Sequence, residues 1–403
     1  MRLHERGTHM KAAQDSKRSA YLLVLYSYFT DGAMALTVNA VLKSILAEYQ
    51  WTDGQGGLLI ACMSAGLLVS SLIGNSVMER LGRNRTMTMM GLFICVSLGL
   101  FSLSPWPVTF YPLVFVAGLA WGGINSLANT IVNELYDGSA SRLNIMHACF
   151  ACSAVLFPLL VGVITMQGGS WRIVPRLVAV LGAILAVLAC RIPLPKRPEA
   201  NTAGTSTVPF WREPRFYFSL LTLFTYVGSE SSASAWLSSY LSRSNTFFQA
   251  VPSETMVSLM WLLMIVGRLF FAAVGTKVPK ALLLAGESVA FLLGMLGMIT
   301  FADNTAAAIA SVAFMGLGMS AIYGTAIASY ARYVSCSTLS AELLFGAGGL
   351  GSTLIPALAG AISDRAGLQT GMFSLCGFLL VLVLTSFANL CMEKRSAVHE
   401  KAC

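Results

Sequence analysis

Charge is scarce in this chain. Asp, Glu, Lys and Arg make up 11% of its 403 residues and there are only four histidines, whereas a soluble protein of this length carries about 25% charged residues. That shortage excludes an ordinary water-soluble globule. No GxxxxGK[ST], HExxH or GxSxG sequence occurs. Phosphate-loop nucleotide hydrolysis, zinc-peptidase chemistry and serine-hydrolase chemistry therefore have no motif to start from, and the expectation is a non-enzyme with no cofactor, no metal and no catalytic residue. The nine cysteines are scattered and imply no disulfide framework. Cys149 and Cys152 form a CxxC inside an apolar run with no strand nearby, which reads as packing rather than redox or metal chemistry. GAGGLG at 346–351 has the letters of a dinucleotide-binding loop but follows no strand, so close helix packing accounts for it.

What the chain has instead is apolar length. Hydrophobic residues are 56% of the total and the mean hydropathy is +0.71. Twelve apolar stretches run at 20–42, 56–78, 86–104, 109–133, 144–166, 174–192, 216–241, 254–275, 281–301, 305–330, 338–362 and 370–392. About 20 apolar residues at a helical rise cross a hydrocarbon core of about 30 Å. Backbone groups in lipid can satisfy only one another, and runs of this length without strict alternation choose helices over barrel strands. The fold expected is an all-α membrane protein of twelve transmembrane helices.

Twenty of the 26 Lys and Arg fall on the side of the N-terminus. Lys and Arg accumulate in cytoplasmic connections, so both termini are predicted cytoplasmic. The net charge of +8 then reflects topology and contact with the lipid bilayer, not a nucleic-acid footprint. The polar, proline-rich segment 193–215 breaks the apolar pattern and reads as a cytoplasmic linker. It divides the chain into a tail at 1–19, a six-helix half at 20–192, a second at 216–392 and a tail at 393–403. Two six-helix halves about a mid-membrane site are the architecture of many secondary transporters.

The loop GNSVMERLGRNR at 74–85 sharpens this reading. It resembles the signature loop of the major facilitator superfamily, whose pattern is supplied here by Gly74, Glu79, Arg80, Gly82, Arg83 and Arg85, with Glu79 where Asp is usual. The resemblance implies two pseudo-symmetric halves and a latch of acid and arginines at the cytoplasmic ends when the inner gate is shut. Four further stretches, NSLANTIVNEL, RLNIMHACFACSAVLFPLL, YVGSESSASAWLSSYL and LMWLLMIVGRL, resemble the fucose, glucose and galactose proton-symporter family. That resemblance implies transport of a monosaccharide into the cell across the plasma membrane (the inner membrane in a bacterium) by a protein working as a monomer, with a proton or sodium ion as possible partner.

The residue types suit a sugar. Pyranose hydroxyls want amides and carboxylates, while the CH faces want aromatic surface. Trp121, Asn125, Asn129 and Asn133 follow at spacings of four, one helical face. Amides in a span are costly unless they face protein or water, so this stripe is expected to line a cavity. Candidate substrate-binding residues are Asn39, Trp121, Asn125, Asn129, Asn144, His147, Glu230, Trp236 and Tyr240. Asp31 and Glu230 are the acids nearest mid-membrane and the candidates for proton coupling. In proton-coupled members resembling this chain, Asn39 and Asn125 stand where acids are usual. Amides cannot titrate, which leaves Asp31 or Glu230, sodium, or no coupling. The competing function is export of amphipathic compounds by proton antiport. Such exporters end a Gly-rich helix-five motif in Gly-Pro, whereas this chain reads Ala154, Val155, Leu156, Phe157, Pro158.

Overall fold

The computed structural model describes residues 2–136, 140–195, 210–274, 278–329 and 338–402. The chain folds as helices in the order α1 (Arg2–Tyr49), α2 (Asp53–Leu81), α3 (Arg83–Leu103), α4 (Phe110–Leu135), α5 (Ala140–Met166), α6 (Ile173–Arg191) and α7 (Pro214–Ser244). After the short α8 (Phe247–Ala250) come α9 (Glu254–Val274), α10 (Lys280–Thr300), α11 (Thr305–Met319), α12 (Ile322–Ser329), α13 (Thr338–Ala366) and α14 (Leu368–Ala402). Most of the linker expected at 193–215 lies outside the described residues, as do the side chains of Asn133 and Asn144.

Among the described residues, eleven spans have the length and apolarity to cross a bilayer, one of them formed by α11 and α12 in series. The twelfth is α7, which is 31 residues long and carries nine serines. Its stretch from Ser232 to Leu241 is buried without a break, so its serines face protein rather than lipid and the helix needs no apolar face there. Elsewhere, Leu100, Val180, Leu269 and Leu384 are exposed, as expected of side chains that lipid solvates.

Two compact units form. One comprises Met1–Val38, Gly66–Phe157 and Ser170–Asn201, the other Asn39–Ala65, Pro158–Gly169 and Thr202–Cys403. Helix association in lipid has little hydrophobic drive and relies on close packing at small residues and on interhelical hydrogen bonds. Within the first unit α3 packs on α6, and a Cβ on Gly91 would stand 2.7 Å from the Ala186 backbone nitrogen. Asn84 locks the end of that pair. Its amide nitrogen donates to the Ala189 and Ile192 carbonyls, both at 2.7 Å, and its oxygen accepts from the Leu194 N–H at 3.0 Å. The carbonyls that α6 leaves open are thereby satisfied.

Within the second unit α7 packs on α13. A Cβ on Gly228 would stand 2.6 Å from the Gly351 carbonyl oxygen, and one on Gly348 would stand 3.2 Å from the Val227 side chain, so Gly348 and Gly351 serve helix packing, whereas a Cβ on Gly346 would meet open space.

The span expected as one run at 305–330 is broken, with α11 ending at Met319 and α12 starting at Ile322. Neither proline nor a charge marks the break in the sequence. The Ser320 carbonyl instead accepts from Arg268 Nε at 2.9 Å, a donor that competes with the helical ladder for this group. Non-helical backbone at membrane depth is tolerated where such a partner exists.

Candidate functional site

In the first unit, α1, α4 and α5 bring together Tyr28, Asn125, Asn129 and His147. The Tyr28 phenol donates to Asn125 Oδ1 at 3.0 Å and accepts from Asn129 Nδ2 at 2.7 Å. Asn129 Nδ2 also reaches Asn125 Oδ1 at 2.9 Å and the Asn125 carbonyl at 2.8 Å. The His147 ring meets Tyr28 edge-on at 5.2 Å. Tyr28 is 1% exposed, whereas Trp121, Asn125, Asn129 and His147 are half-buried. Of the stripe read from the spacing of four, Asn125 and Asn129 are thus bonded to each other and to Tyr28, and both are half-buried. Tyr28 is the member that sequence reasoning missed, because a tyrosine in an apolar run has no distinguishing spacing.

Asp31, one turn beyond Tyr28, is wholly buried, and neither carboxyl oxygen has a hydrogen-bond partner. Gly32 beside it lets α1 approach α5 closely, since a Cβ there would stand 2.7 Å from the Phe150 carbonyl.

In the second unit, half-buried Glu230 interacts with Tyr226, one turn earlier on α7, and with the Arg268 charge. The Tyr226 phenol donates to the Met319 carbonyl at 3.1 Å, beside the helix break. Glu287 on α10 is 4% exposed and its oxygens carry no side-chain partner. Asn39 is also buried in this unit, with Oδ1 unbonded. Trp236 and Tyr240 are 1% and 3% exposed. The Trp236 indole donates to the Pro356 carbonyl at 3.4 Å and the Tyr240 phenol to the Ile299 carbonyl at 2.9 Å, so both polar tips are occupied within the fold.

Two ion pairs that the sequence did not announce tie α1 and α2 to α7 and α9 inside the second unit. Arg243 makes a bidentate pair with Asp53, with bonds of 2.8 and 2.7 Å. The same carboxylate accepts a very short bond from the Ser363 hydroxyl, and Asp364 accepts from the Gly54 N–H at 3.0 Å. Lys43 lies 3.2 Å from Glu254, which is 1% exposed, and donates to Ser253 at 2.8 Å. Asp53 and Glu254 each sit in the first turn of a helix, where the macrodipole favours an acid.

In the signature loop Gly82 has φ 81°, a left-handed conformation that glycine adopts without strain. Arg83 follows as the first residue of α3 and is 6% exposed. It pairs with Glu134 at 2.6 Å and donates to the Pro195 carbonyl at 2.9 Å. Glu79 and Arg80 are exposed, and Gly74 and Arg85 lie on α2 and α3 on either side of the turn. Among the described residues no three His, Cys, Asp or Glu converge as a metal site.

Polar clusters inside apolar spans, tied by charged pairs near their ends, are features that a helical membrane protein handling a polar solute requires. The Major Facilitator Superfamily model matches residues 22–341, and the chain belongs to that family. The protein named Bypass of stop codon protein 6 of Saccharomyces cerevisiae is 21% identical over 388 residues, covering 86% of this chain and 77% of that protein. The glucose/mannose transporter GlcP of Bacillus subtilis is 22% identical over 144 residues, 36% of each chain. The crystal structure of the nucleoside transporter NupG is similar in fold at a TM-score of 0.72 and 13% identity, covering 93% of this chain and 99% of that one.

Proposed function

We propose that this chain carries a monosaccharide across the plasma membrane by alternating access of its two six-helix halves, with both termini in the cytoplasm and the monomer as working unit. The observation that carries the substrate class is the Tyr28–Asn125–Asn129 network. It holds two amides and a phenol in fixed register beside Trp121, with the open side of Asn125 and Asn129 offering donors and acceptors to hydroxyls and the indole offering surface to a CH face. The similarity to a glucose/mannose transporter over 144 residues supports the same class.

Coupling to a proton falls to Asp31 or Glu230. An ionised Asp31 would be a buried charge with no compensating group, which a bound proton removes. Glu230 faces Arg268 and exchanges that partnership for a proton. The pairs Asp53–Arg243 and Lys43–Glu254 hold the outer gate, and Glu79, Arg80, Arg83 and Arg85 belong to the inner latch, with Arg83 anchored by Glu134.

The test is uptake of labelled hexoses, 6-deoxyhexoses and amino acids into proteoliposomes under imposed proton gradients, sodium gradients and none. Saturable hexose or deoxyhexose uptake is expected. No sugar uptake under any gradient overturns the substrate class.

A further inference from the structure

A second polar feature of the first unit shares no residue with the Tyr28 network. A cavity of about 540 Å³ opens against the first turns of α1, lined by Gln14, Lys17, Arg18, Tyr21, Tyr136 and Arg142. These residues lie at the start of the first span, just past the end of the fourth, and just before the fifth. The start of an odd span and the end of an even one share a membrane side, so the cavity sits at the interface that also holds the signature loop and most of the chain's cations.

Its described charges are all of one sign. Lys17 Nζ stands 4.5 Å over the Tyr136 ring, and Arg142 Cζ lies 4.9 Å from the same ring and 5.5 Å from that of Tyr21. The two rings meet edge-on at 5.0 Å, and the Tyr21 phenol donates to the Arg142 carbonyl at 2.9 Å. Aromatic faces thus draw an ammonium and a guanidinium together over one ring, with Arg18 beside them. Among the described residues that line it none is acidic, and none of the ion pairs among the described residues uses these three cations. Like charges gathered without a counter-charge repel, and an anion between them removes that repulsion while taking charge-assisted hydrogen bonds from an arginine fork.

We infer that this cavity is a binding site for a phosphate group, formed by Lys17, Arg18 and Arg142 on a base of Tyr21 and Tyr136. The volume exceeds that of phosphate alone and accommodates the substituents of a phosphodiester. Its level at the membrane surface gives two sources, the headgroup of an anionic lipid or a soluble phosphate compound. The inference stands apart from the sugar reading, because it concerns other residues and its test measures no transport.

Native mass spectrometry of the purified full chain, relipidated with phosphatidylglycerol or with phosphatidylcholine of the same acyl chains, tests the lipid source. Thermal unfolding with added inorganic phosphate tests the soluble one. Retention of phosphatidylglycerol over phosphatidylcholine, reduced about tenfold in the Lys17→Gln/Arg142→Gln variant, supports the site with a lipid occupant. Protection by phosphate in the wild type but not in the variant, without lipid preference, supports it with a soluble occupant. Equal behaviour of wild type and variant in both arms overturns it. If the double variant does not fold, the wild type alone decides. Binding of phosphatidylglycerol or phosphate must weaken as salt rises from about 0.05 to about 0.5 M, and insensitivity to salt overturns the site.

Discussion

Arg243 grips Asp53 with both terminal nitrogens of its guanidinium, 2.8 Å to one carboxyl oxygen and 2.7 Å to the other, across 190 residues of chain. The acid is 8% exposed and opens α2, while the arginine closes α7. A bidentate pair of this kind fixes direction as well as distance. Arg243→Ala strips a mostly buried carboxylate of its counter-charge and is expected to destabilise the protein by about 1–3 kcal/mol, less than a fully buried pair because the arginine is half exposed. Asp53→Asn/Arg243→Ala should cost less than the sum of the single changes. Additive losses in thermal or denaturant unfolding would show that the two side chains do not act as a pair.

The network around Tyr28 predicts a graded loss. Tyr28→Phe removes the donor to Asn125 and the acceptor for Asn129 while keeping the ring against His147. The Michaelis constant for sugar uptake is expected to rise about tenfold, equivalent to about 1.4 kcal/mol of lost positioning. Asn125→Leu or Asn129→Leu should abolish uptake in protein that still reaches the membrane. Unchanged kinetic constants in all three variants would remove the network from the binding site.

Glu230→Gln separates binding from coupling. If Glu230 exchanges the coupling proton, the variant should still exchange labelled for unlabelled substrate across the membrane, yet fail to accumulate it under a pH gradient. Accumulation by the variant equal to that of wild type transfers the coupling role to Asp31, for which Asp31→Asn then provides the same comparison.

Gly351 predicts a packing cost with no functional chemistry attached. A side chain there would meet the backbone of Phe224, so Gly351→Val forces α7 and α13 apart. The expected destabilisation is about 2–3 kcal/mol or more, read as a lowered unfolding midpoint of the detergent-solubilised protein. A neutral result would mean that α13 shifts along α7 without loss.

The spans were legible because lipid imposes a blunt rule, and runs near twenty apolar residues obey it whatever their packing. The same rule found α7 at 216–241 although that helix carries nine serines, most of which hide in the interior. Asn125 and Asn129 were legible because a period of four on a helix puts amides on one face. Tyr28 joined them only through folding, since its bonds reach across 97 and 101 residues. Glu134 and the pairs Asp53–Arg243 and Lys43–Glu254 escaped for the same reason. An isolated charge near a helix end does not say which distant partner it will meet. The break between α11 and α12 left no mark in its own residues. Its trace was Arg268, a cation inside a span whose partner is a carbonyl on another helix.

That break also changes the electrical surroundings of Arg268. α11 ends at the carbonyl to which Arg268 donates, and the aligned peptide units of a helix sum to about half a negative charge at its C-terminal end. The guanidinium is therefore balanced in part by a helix terminus and does not depend wholly on carboxylates nearby. If Glu230 takes up the coupling proton as proposed, Arg268 keeps a counter-field that cannot titrate, and the cation stays seated while the acid changes state.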